Sequence, residues 1–197
     1  MGNLDLEDLL KQWNKDILGS TKYRAYLPQE ALDSRWIGYP GATEAQIEEA
    51  EVRLGTTLPH SYRTFLGVTN GLLLPGPFVH RLLPAEQTDW LLKKSRDRID
   101  AWRYGRGLFG EPEHVPDASL FVYGEAQNPL VFRDEYLDTA LQISEGHGLY
   151  LLNPRVVFED AEWEAWFFEA ELGASRYRSF GELILAEYEA FLRLKDL

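Results

Sequence analysis

The stretch EDAEWEAWFFEAE, residues 159–171, sets six carboxylates among four large aromatic side chains and holds no base. If it is a strand, its side chains alternate between two faces, so Trp163, Ala165 and Phe167 share one while Glu162, Glu164, Trp166 and Phe168 share the other. Acids flanking aromatics on one face suit the capture of a basic partner. Tryptophan supplies contact area and rim carboxylates speed encounter. On this reading the contacts are Glu159, Asp160, Glu162, Glu164, Trp166, Glu169 and Glu171. The plainer reading has the aromatics filling a core and the acids facing water.

Signals for catalysis are sparse. GRGLFG, residues 105–110, has the glycine spacing of a dinucleotide fingerprint. It follows a predicted helix instead of a strand, and the prolines of EPEHVPD stand where the phosphate-binding helix should begin, so it reads as a loop. His60, His80, His114 and His147 share no short metal-ligand spacing, and neither GxSxG nor GxxxxGK[ST] occurs. With 32 acidic residues some carboxylates must lie close together, which leaves any single acid/base pair uninformative. His147, between Gly146 and Gly148, is the best lone candidate for a general base, and a turn histidine is the competing reading. No metal, cofactor or catalytic residue is expected.

The 197 residues contain no cysteine, which excludes disulfides, thiolate nucleophiles and cysteine-bound zinc. The N-terminal residues lack the basic and apolar regions of a secretory signal, and Leu6 stands where a myristoylation motif needs Ser or Thr. A cytoplasmic protein is expected. Net charge is −12, and it is unevenly spread. Residues 1–110 hold 14 acidic and 14 basic side chains; residues 111–197 hold the other 18 and 6. Such a field disfavours phosphate backbones and anionic membranes and draws in basic partners.

Several elements must position these residues. Leu6, Leu9, Leu10, Trp13 and Ile17 are spaced for an amphipathic helix over residues 4–18 that Gly19 stops. Thr43 and Gln46 form a capping box for a second helix ending at Gly55. A third, from Pro59 to Thr69, presents Tyr62, Phe65 and Leu66 on one face and ends at Asn70-Gly71. Residues 86–104 read as one further helix. From Ser119 the period shortens, and residues 120–123, 130–132, 139–143 and 149–152 read as strands. In 162–169 Trp163, Trp166, Phe167 and Ala170 match a helix while the aromatic density favours a strand, and it is read as a strand. A helix over 179–194, capped by Ser179 and Glu182, closes an α+β order of elements.

The pattern of Gly41, Glu51, Gly55, Leu58, Pro59, Tyr62, Phe65, Asn70 and Gly71 resembles the N-terminal motif of the SUKH superfamily, the SMI/KNR domain named for fungal cell-wall regulators. Leu152-Asn153-Pro154 and Tyr177-Arg178-Ser179-Phe180 resemble the C-terminal half of its bacterial members. The resemblance implies a twisted antiparallel sheet packed by helices, in a single domain over residues 30–197 after an N-terminal helical extension, 1–29. The motif residues determine the fold and are not a binding site. For bacterial members the resemblance implies an immunity protein, without enzymatic activity or cofactor, that binds and neutralises a cognate toxin. Its acidic excess suits a basic, nuclease-type toxin, with neither nucleic acid nor membrane as a direct partner and a monomer as the expected state. The alternatives are a regulatory scaffold of the fungal type and, further off, a small hydrolase using carboxylates and His147.

Overall fold

The computed structural model describes residues 5–74, 78–108 and 115–195. Five helices come first: α1 (Leu6–Gly19), α2 (Thr21–Arg24), α3 (Gln29–Ser34), α4 (Glu44–Leu54) and α5 (His60–Val68). Strands β1 (Leu72–Leu73), β2 (Val79–Leu82) and β3 (Asp89–Trp90) lead into α6 (Leu91–Lys94), α7 (Arg96–Gly107) and α8 (Asp117–Leu120). Then follow β4 (Leu141–Gln142), β5 (Ser144–Gly146), β6 (Leu149–Val157), β7 (Trp163–Glu169), β8 (Gly173–Tyr177) and α9 (Phe180–Leu194). The strands form a five-stranded antiparallel sheet in the order β3-β4-β6-β7-β8 and a small antiparallel sheet in the order β1-β2-β5.

The helix signals are realised with their caps. Thr43 accepts from the Gln46 amide N–H, Gln46 accepts in return from Thr43 N–H at 2.9 Å, and Gly55 ends α4 with a left-handed φ of 70°. The turn into α5 is tied by Glu51, whose carboxylate accepts from Leu58 N–H at 2.7 Å and pairs with Arg63 at 2.5 Å. Asn70 closes the far end, accepting from Ala85 N–H at 2.7 Å. At α9 the Ser179 hydroxyl accepts from Glu182 N–H, while the Glu182 carboxylate accepts from Arg178 N–H, one residue further out than the usual box.

One core lies between the helices and the first face of the large sheet. Leu9, Leu10, Trp13 and Ile17 of α1 meet Tyr62, Phe65 and Leu66 of α5, Phe180 to Phe191 of α9, and Tyr150, Leu152 and Ala165 of the sheet. The expected strands at residues 120–123 and 130–132 are not strands: Leu120 ends α8 and Phe132 lies in a turn. Residues 86–104 are likewise broken, into a 3₁₀ turn at Ala85–Gln87, β3, α6 and α7. A run of three or four apolar residues cannot itself separate a strand from a buried turn. These segments instead form a lid on the second face of the sheet, where Leu91, Ile99, Trp102, Leu120, Phe132 and Leu137 pack on Leu149, Leu151, Trp166 and Phe168. The central strands are therefore buried on both sides.

Candidate interaction surface

The double cover redistributes the acids of residues 159–171. On a sheet with one wet face Glu164 and Trp166 would meet solvent; here the lid covers that face, and both are wholly buried. The expectation that these two line a contact surface is thereby corrected. Trp166 packs edge-on against Phe132 at 5.2 Å between ring centroids. Glu164 is the hub of a buried polar cluster. It accepts from the Tyr123 hydroxyl at 2.7 Å, Asn153 Nδ2 at 2.9 Å and Trp166 Nε1 at 2.7 Å, and pairs with Arg176 Nη1 at 3.4 Å. Arg176 Nη1 also donates to the Leu120 carbonyl and Nη2 to that of Val122, which ties the lid to β8, while the buried Nε–H has no partner among the described residues. Burial, then the adjacent Glu164 carboxylate, push the Tyr123 hydroxyl up, keeping it a donor to Glu164.

Glu162 is also occupied. Its carboxylate accepts from Ser61 N–H at 2.7 Å and Ser61 Oγ at 2.6 Å. Pro59 precedes α5 without a side-chain cap, so Glu162 supplies from another part of the chain the acceptor and negative charge that a helix N-terminus favours. Glu169, at the far end of β7, is 8% exposed, too little for the contact expected of it. Burial pushes its carboxyl up, with His147 opposing the rise. Glu171 is exposed on the next turn, 4.0 Å from His147 Nε2. His147 is itself exposed and sits at a turn.

Glu159 and Asp160 remain. They stand exposed on the turn joining β6 to β7. Asp160 and Ala161 both have left-handed φ values, 56° and 57°, the sense of twist that a tight hairpin requires. Phe158 N–H bonds to Glu162 O at 2.7 Å across the base of this turn, so the two acids project from a braced platform. Alanine tolerates that backbone poorly; replacing Ala161 by glycine is expected to stabilise the fold by about 1 kcal/mol, read as a shift in urea midpoint at unchanged slope. Of the neighbouring bases, Arg155 lies over the Tyr136 ring, Arg176 is buried beside Glu164 and Arg178 lies over the Tyr123 ring. Glu159, Asp160 and Glu171 are thus the exposed members of the expected set, and β7 separates the first two from the third.

The motif residues at 41–71 act in the fold. A Cβ on Gly41 would lie 2.0 Å from the Gly67 carbonyl oxygen, and Tyr62 meets Phe180 edge-on while Phe65 meets it at a tilt. Tyr123 and Arg176 are polar residues of the centre that sequence reasoning passed over; only an arginine in the small-residue run GASRY hints at one of them. Of the fingerprint-like GRGLFG, residues 105–107 close α7 and Phe109 and Gly110 lie outside the described residues, as does the separate His114. Among the described residues no group of His, Asp or Glu could hold a metal ion, and no helix is long and apolar enough to cross a membrane.

The profile of the SMI1 / KNR4 family (SUKH-1) matches residues 41–186, from the turn before α4 into α9. No curated protein matches the chain.

Proposed function

The chain belongs to the SMI1 / KNR4 family (SUKH-1), and from that membership we propose that it works by binding a protein partner, a basic toxin of nuclease type that it neutralises stoichiometrically and without turnover. The observation that carries this reading is the braced turn, which holds Glu159 and Asp160 out from the acidic half of the chain. A nuclease must present positive charge to hold phosphates, so rigidly held carboxylates can occupy that surface and block it. Rigid presentation matters because ordering a flexible loop on binding would subtract from affinity. The same charge steers a cationic partner at distances up to about a Debye length, roughly 8 Å in physiological salt. Within this reading the protein acts in the compartment where the toxin would do harm, the cytoplasm.

The test is co-expression with the product of the adjacent upstream reading frame, scored by cell survival and by co-purification of the two chains. Rescue with a stable complex is the expected result; a neighbour that is harmless, or that kills equally in the presence of this protein, overturns the proposal. Charge reversal by Glu159→Lys with Asp160→Lys is expected to weaken the complex by about tenfold to a hundredfold, mainly through slower association. Biosensor kinetics read this directly. Unchanged association would remove the turn from the contact while leaving neutralisation standing.

A further inference from the structure

A cleft of about 240 Å³ opens between α1, α2, α9 and the interior strands β2, β6 and β7. Its walls are aromatic: Trp13 from α1, Tyr23 from α2, Phe167 from β7 and Phe191 from α9. Among its lining residues the Tyr150 hydroxyl donates to the Glu187 carboxylate at 2.8 Å, and Trp13 Nε1 has no partner among the described residues. The acid is an anomaly there. Burial pushes its carboxyl up, the Tyr150 hydrogen bond holds it partly down, and the nearby Glu169 carboxylate adds repulsion. Among the described residues that line the cleft there is no lysine, arginine or histidine. A charge in an apolar site is costly without an opposite partner, and the described lining supplies none.

We propose that this cleft is a binding site for a small organic ammonium ion, a primary amine carried on a single ring or short alkyl chain. The ammonium would donate to Glu187, and the rings of Trp13 and Phe191 would favour the cation and cover its apolar body; Tyr23 already carries the Lys22 ammonium over its ring and adds only a wall. An organic anion is disfavoured by Glu187 and Glu169. A neutral molecule would leave the carboxylate unpaired. Sites for drug-sized ligands run to about 300–1,000 Å³, so this volume suits a smaller guest.

Isothermal titration of the whole chain at neutral pH with phenethylammonium chloride, phenethyl alcohol and sodium phenylacetate tests the assignment. These probes share the ring and differ in charge. The ammonium is expected to bind at least about tenfold more tightly than the alcohol, the difference between a charge-assisted and an ordinary hydrogen bond, and phenylacetate to give no heat of binding. Glu187→Gln is expected to erase the preference for the ammonium while leaving the alcohol's affinity within about twofold. Ala190→Phe, which fills the cleft and keeps the acid, is expected to abolish binding of both, with thermal melting confirming that each variant folds. Absence of ammonium binding to the wild-type chain, equal affinity for ammonium and alcohol, or ammonium binding that survives Ala190→Phe would each overturn the proposal.

Discussion

Methionine in place of Arg176 is expected to lower the free energy of unfolding by about 3–5 kcal/mol, because it leaves Glu164 charged and uncompensated in the interior. Glu164 is 0% and Arg176 1% exposed, so water cannot take over the lost partner. The change also frees the carbonyls of Leu120 and Val122, to which Arg176 donates. Pairing Arg176→Met with Glu164→Gln should return part of the loss: the amide oxygen can still accept from Asn153 or Trp166, and no buried charge remains. Urea unfolding of the wild type, both single variants and the double variant forms the cycle that measures the coupling. A loss below about 1 kcal/mol for Arg176→Met would show that the pair is not a closed, charged unit.

The second large effect is expected at the junction of α5, α9 and the sheet. Phe180 is completely buried, with its ring centroid 5.1 Å from those of both Tyr62 and Phe65. Phe180→Ala is expected to cost about 3–5 kcal/mol, the lost burial plus the cavity left among rings that cannot collapse into it. For a chain of this size that is a fall in melting temperature of roughly 10 °C. Leu192→Ala on the same helix is the control. Its side chain is 36% exposed, and a change within about 0.5 kcal/mol is expected. Comparable losses at the two positions would mean that α9 docks by its general apolarity and not through this cluster.

The readable part of the fold was the part specified by local rules. The stripe of α1, the capping box of α4, the Gly55 stop, the Pro59 start of α5 and the Ser179 cap each depend on residues within a turn of one another, and each is present. Strands β6 and β7 are long and apolar enough to show themselves. The lid over the second face was not readable. Its longest helix, α7, buries only Ile99 and Trp102, and its other anchors, Leu120 and Phe132, sit in short segments with no period. Missing the lid meant treating one face of β7 as wet, and from that single error came the misplacement of Glu164 and Trp166. Glu162 shows a different limit. Its role as a helix cap spans 101 residues, beyond any local pattern. The turn at Asp160-Ala161 was hidden because left-handed positions normally announce themselves with glycine or asparagine.

Helix α1 packs on α5 and, at the other end of the chain, on α9. Trp13 meets Tyr188 and Phe191 at a tilt, and Asp16 accepts from the Tyr188 hydroxyl at 2.7 Å and pairs with Lys195 at 3.0 Å. These contacts bridge 172 and 179 residues. On a ribosome adding about 5–20 residues each second, roughly 10–35 s separate the emergence of α1 from that of α9. For that interval the side of α1 that Trp13 turns toward α9 is a naked apolar surface, the kind a holding chaperone grips. The burial of α1 is therefore completed only when translation reaches α9, and the core between the helices and the first face of the sheet stays open until then.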